Sequence, residues 1–173
     1  MPNQYPFSAY NKLLCLKLSI PAWATIVFLV RPFAIILMSV ANRRDRMGVL
    51  NTMYGDPVSP ALYIDAFAAL PALLVIYAWV KRQPEAPQYI RWIWSRSRSI
   101  LLLATALNIL GALLPFILNP NNPVTLPDLA KLAACAMIIN YLLSSKRLKD
   151  TFNDFPESKQ DQEKESLRVS KNI

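Results

Sequence analysis

Polar residues stand inside long apolar runs of this sequence, foremost Arg31, Asp65, Asn108 and Lys131. Their types define what chemistry they could do. A guanidinium, a carboxylate, an ammonium and a carboxamide can hydrogen-bond between helices and fix their packing. The same groups can line a polar pocket for an anionic or polar ligand, with a net positive charge from Arg31 and Lys131 against Asp65. A proton or ion pathway is a third reading. It lacks the acidic–histidine relay usual in such pathways, because the chain has no histidine. Arg31 lies near the middle of its run, where a charge costs roughly 2.5–3.5 kcal/mol on insertion scales. Asp65 lies about one turn into the next run. On antiparallel neighbouring helices the two depths differ by roughly 9 Å at 1.5 Å rise per residue. A long arginine side chain covers most of that gap, so the sequence predicts an Arg31–Asp65 pair. Lys131 sits at a similar depth on the fourth run, three residues after Asp128. Asn108 falls near the middle of the third run, and Asn140 in the far half of the fourth.

The elements that must position these residues are the runs themselves. They cover about residues 18–41, 60–80, 99–118 and 126–144. Each is near the roughly 20 residues needed to cross a hydrocarbon core about 30 Å thick. None carries the wide polar face of a soluble surface helix, and in lipid only helices or closed barrels satisfy the backbone. The runs are long and rich in Leu and Ala, so the predicted fold is an all-α membrane protein of four transmembrane helices. Ser19, Ser59 and Thr125 stand where N-caps are wanted, each followed by a proline that needs no amide partner. Pro32, Pro71 and Pro115 fall inside helices and predict kinks. Gly111 and Ala112 offer a small-residue contact surface. Residues 1–145 form the predicted bundle. Residues 146–173 read as a polar, mixed-charge tail with no apolar stripe, a solvated helix or disordered. The first run is too long for a signal peptide, contains Arg31 and is followed by Arg43-Arg44, so it is expected to be retained.

The chain has 173 residues, 54% apolar and 17% charged, with a formal net charge of +8. Lysines and arginines are segregated by position. Ten lie before the first run, between the second and third, and just after the fourth, whereas three lie between the first and second. The positive-inside rule then places both termini in the cytoplasm. Residues 88–98 combine Tyr89, Arg91, Trp92, Trp94, Arg96 and Arg98. Such a mixture belongs at the headgroup level, with the arginines facing anionic lipid. The segment is short and joins two membrane helices, which argues against nucleic acid. Cys15 and Cys135 form neither a CxxC pair nor a disulfide framework and read as small buried or interfacial side chains.

No constellation supports catalysis. The absence of histidine removes His-dependent triads and His metal sites, and three glycines leave little room for a phosphate loop. No HExxH, GxSxG or carboxylate cluster with metal spacing occurs. The expectation is a protein that is not an enzyme and needs neither cofactor nor metal.

A run of features resembles a family of small bacterial inner-membrane proteins known as domain of unknown function 2919. They are Leu18-Ser19-Ile20-Pro21 with Trp23, Phe28-Leu29-Val30-Arg31-Pro32 with Ser39 and Arg43, Leu50 to Tyr54, Leu70-Pro71-Ala72-Leu73-Leu74, Arg82, and Trp94 with Arg98 before Leu101-Leu102-Leu103. The resemblance covers about residues 16–118, and the fourth helix and tail match less clearly. It implies the inner membrane and a four-helix arrangement, and carries no activity, ligand or catalytic residue. Small size, short loops and no catalytic set point to an accessory or scaffold component of an envelope assembly, with a membrane-protein partner. The alternative is a small transporter or ligand-binding membrane protein. Four helices are few for a monomeric transporter, so that reading predicts a homo-oligomer.

Overall fold

A computed structural model of the chain describes residues 5–11, 15–42, 44–54, 61–118 and 126–156. A single turn of 3₁₀ helix at Phe7–Ala9 opens it. Seven α-helices follow: α1 (Ile20–Ala41), α2 (Arg46–Tyr54), α3 (Ala61–Val80), α4 (Gln88–Ser95), α5 (Ser97–Leu118), α6 (Leu126–Ser144) and α7 (Lys146–Asn153). The described residues contain no strand; one isolated bridge joins Tyr10 and Leu16.

Helices α1, α3, α5 and α6 are the four predicted spans, within two residues at each described end. All four are long and apolar enough to cross a membrane. Within their most apolar windows only 28, 33, 39 and 11% of residues are buried by the protein itself. The remainder, including Val27, Leu37, Phe67, Leu74, Leu103 and Met137, points outward. A soluble protein seldom exposes so much contiguous apolar surface, whereas lipid tails cover it without cost. The chain is therefore an all-α, multi-pass membrane protein.

Helix α3 is central, packing against α1 on one side and α5 on the other, and α6 packs on α5. The contacts are made by small residues. Ala68, Ala69, Ala72 and Ala78 of α3 and Ala104 and Ala112 of α5 are all buried. Small side chains let helix backbones approach closely, which is how bundles gain packing energy where no hydrophobic force acts between helices. Buried hydroxyls are satisfied inside their own helices: Thr25 donates to Pro21 O and Thr105 to Leu101 O. Helices α1 and α3 keep their winding through Pro32 and Pro71, and α5 through position 115.

Ser19 is the N-cap of α1, but its hydroxyl does not cap. It lies 2.6 Å from the Tyr141 hydroxyl and ties the start of α1 to the end of α6. Pro21 in the first turn lowers the number of amides that need a cap. The predicted caps at Ser59 and Thr125 lie outside the described residues, as does the tail beyond residue 156.

The first part of that tail departs from expectation. Residues 146–153 form α7, with Leu148, Thr151 and Phe152 buried against the bundle. Ser145 caps it, accepting from Leu148 N at 3.2 Å. The bundle therefore extends past residue 145. Leu148, Phe152 and Phe155 recur at helical spacing, an apolar stripe hidden among seven charged or polar neighbours.

Candidate functional site

Two groups of polar residues are built by the fold, one in the membrane and one at the end where α1 begins.

The first centres on Asp65, in the second turn of α3 and 4% exposed. The Lys131 ammonium from α6 lies 2.5 Å from Oδ1, and the Arg31 guanidinium from α1 lies 3.6 Å from Oδ2. The expected Arg31–Asp65 pair is present, but lysine is the closer partner. Lys131 serves Asp65 rather than acting only with its sequence neighbour Asp128. Phe28, one turn before Arg31, places its ring 4.2 Å below the guanidinium, a cation–π contact suited to a charge held out of water. A fourth group comes from α2: the Tyr54 phenol lies near enough to Asp65 to feel its charge. Burial, and then the Asp65 charge, push this phenol up to about 12. It stays protonated. One carboxylate thus joins three helices, α1, α3 and α6, with the α2 phenol nearby.

Gly111 of α5 supplies the room. A Cβ there would stand 2.7 Å from Ile64 Cγ2 and 3.7 Å from Asp65 Oδ1. Only a residue without a side chain lets α5 approach α3 this closely beside the carboxylate. Asn108, one turn earlier, is buried and donates from Nδ2 to Ala104 O of its own helix at 3.1 Å. Its described bond belongs to α5 rather than to the ion pairs. Asn140 lies in the opposite half of α6 and bonds Ser144. Cys135, one turn from Lys131, is fully buried.

The second group was not legible as a site. The Arg82 guanidinium, just beyond α3, donates to Leu16 O at 3.1 Å and Asp154 O at 2.6 Å, and stacks 4.6 Å over the Trp94 ring. Asp154 Oδ2 accepts from Leu16 N at 2.6 Å. Trp94 Nε1 donates to both Thr151 O and Asp154 O at 3.1 Å, and its ring meets Phe152 edge-on at 5.1 Å. Tyr5 adds a bond to Asp150 at 2.8 Å. The segment before α1, the α3–α5 connection and the chain after α6 are thereby knotted together. Burial pushes the Arg82 guanidinium below its ordinary range, opposed by Cys15 and Asp154. Burial and the Asp154 charge push the Cys15 thiol up, with Arg82 opposing. Cys15 and Cys135 are both buried and form no disulfide among the described residues.

The knot corrects part of the lipid-interface assignment. Trp94 is fully buried and is a core residue. Arg98 turns inward and donates to Leu142 O at 2.6 Å and Leu143 O at 2.7 Å. It caps the C-terminal carbonyls of α6, where a cation also suits the helix dipole. Arg91 packs 5.2 Å over Phe155 and donates to Pro84 O. Tyr89 and Trp92 remain more than half exposed, and Arg96 lies 5.0 Å over the Trp92 ring. The signal for the buried members is their spacing. Ile90, Trp94, Ser97 and Leu101 form one stripe that continues into α5, and all four are buried.

Fold and polar interior together define a small multi-pass membrane protein whose intramembrane charges face one another. The chain belongs to the family described as protein of unknown function DUF2919, whose profile matches residues 5–154. The match takes in the fourth span, α7 and Asp154, well beyond the stretch whose motifs are recognisable by eye. Comparison with curated proteins and with solved structures gave no match.

Proposed function

We propose that this chain is a non-catalytic protein of the bacterial inner membrane, both ends cytoplasmic, serving as an accessory or scaffold component of an envelope assembly. The observation that carries this reading is the state of Asp65. Its carboxylate is taken up by Arg31 and Lys131 from two other helices. Groups spent on one another hold helices together; they are not held open for a substrate. Orientation is supported by Lys17, Lys81, Arg82, Arg91, Arg96, Arg98, Lys146, Arg147 and Lys149 at the knotted end. The outward apolar surface of α6, 11% buried, suits a membrane-protein partner.

The test is crosslinking in cells, then purification in mild detergent with the bound proteins identified and the complex weighed. A stoichiometric partner supports the accessory reading. A homogeneous self-assembly with no partner favours the second reading, a small oligomeric transporter or ligand-binding protein. One observation speaks for that alternative. Arg31 is 26% exposed along its side chain, and its Nη1 is buried with no hydrogen-bond partner among the described residues.

A further inference from the structure

The outward side of α3 and α5 carries a groove of about 520 Å³. Phe67, Leu70, Leu74 and Tyr77 form one wall, with Leu103 and Leu107 opposite. From Phe67 to Tyr77 the groove follows ten residues of helix, roughly 15 Å at 1.5 Å per residue. That equals the hydrocarbon depth of one leaflet, half of a core about 30 Å thick. The leaflet is the one on the knotted side, because Tyr77 lies within a turn of the end of α3 at Val80.

The groove becomes polar at that end. The Tyr77 hydroxyl lies 3.5 Å from the Tyr89 hydroxyl on α4. Arg96 carries the charge. Its carbonyl accepts from Ile100 N at 3.0 Å, so residue 96 already follows the winding of α5. It stands seven and eleven residues before Leu103 and Leu107, about two and three turns, and thus on the same stripe. Its guanidinium is exposed and steadied over the Trp92 ring. Lys81, exposed just beyond α3, adds a second cation.

We propose that this groove is a binding site for an anionic phospholipid, its acyl chain along α3 and α5 and its phosphate drawn to Arg96 on the α5 stripe. Length, apolar wall and a cation at headgroup depth match the two halves of such a molecule. The inference rests on the membrane-spanning fold and is independent of the accessory role.

The test is native mass spectrometry of the full chain in mild detergent, titrated with dioleoyl phosphatidylglycerol or dioleoyl phosphatidylcholine. The wild type should retain one phosphatidylglycerol per chain in preference to phosphatidylcholine. Arg96→Gln should cut that preference about fivefold, the worth of one basic group at a lipid surface. Leu103→Trp, which fills the groove from a lipid-facing position, should abolish retention of both lipids. Equal retention of the two lipids by wild type, or no effect of either variant, overturns the proposal. A dimer that Leu103→Trp turns into a lipid-free monomer also overturns it and makes the groove a self-association surface. Carbonate extraction of the membranes separates the two levels. Release of the chain into solution would remove the membrane reading itself, whereas retention with failed lipid binding removes the site alone.

Discussion

Lys131 on α6 reaches Asp65 on α3 at 2.5 Å, while Arg31 on α1 stands 3.6 Å away on the other carboxylate oxygen. Helix α6 packs chiefly on α5, so this lysine spans to a helix beyond its main neighbour. The carboxylate is shared, and the consequences of removing each partner differ.

Asp65→Ala strips two buried cations of their counter-charge and should cost about 3–5 kcal/mol, the usual penalty for breaking a buried ion pair. Lys131→Ala leaves the carboxylate with Arg31 and should cost less. Combining the two should recover part of the Asp65→Ala loss, because one unpaired cation is gone. Thermal unfolding in detergent, followed by size-exclusion fluorescence, measures all three. Equal stability of Asp65→Ala and wild type would remove the ion cluster as a helix clasp.

Tyr54 makes a prediction in alkali. Its folded value is raised to about 12 from an ordinary 10, by burial first and by the Asp65 charge second. The folded state therefore holds this proton more tightly than the unfolded chain. The contribution is complete below about pH 10 and is lost as pH rises toward 12. Ultraviolet titration should show one late-ionising phenol that disappears in Tyr54→Phe. Asp65→Asn should lower its midpoint only in part, since burial remains.

Gly111 tests the close approach of α5 to α3. Gly111→Ala brings a methyl against Ile64 Cγ2, where 2.7 Å separates their positions. A loss of about 1–3 kcal/mol is expected, as for overpacking in a tight core. Ile64→Ala should restore stability to the Gly111→Ala background. No rescue would place the glycine requirement elsewhere than at this contact.

Trp94→Phe keeps an aromatic ring but removes the donor shared by Thr151 and Asp154. Asp154 O keeps its Arg82 donor, and loss of the indole donor to the Thr151 carbonyl should cost about 1–3 kcal/mol. The effect should be local, with faster amide exchange and proteolysis in residues 146–156 while the four spans stay protected. Uniform loss of protection would make the knot part of the bundle core.

The spans were legible because the bilayer imposes a length and a composition that few other structures require. The Arg31–Asp65 pair was legible for the same reason, since charges in lipid must find one another. Lys131 was placed at the right depth, but the rotation of α6 about its axis leaves no mark on composition, and its partner stayed open. The knot was hidden by its own amphipathic residues. Trp94 and Arg98 fit an interfacial belt and a packed junction equally well by type, and only the stripe through Ile90 and Leu101 separates the two. In the segment after α6, charged residues outnumber Leu148, Phe152 and Phe155, and average polarity masks a face that is dry.

Leu16 and Asp154 are joined although 138 residues separate them. The segment before α1 therefore gains this partner only after all four spans have been made. At about 5–20 residues per second, that interval lasts roughly 7–30 s. Until then Arg82 lacks the Asp154 carbonyl, and Leu16 N lacks the Asp154 carboxylate. The stretch after α6 thus acts as a latch on the segment before α1, and a chain cut short before residue 150 would carry four spans and an open door.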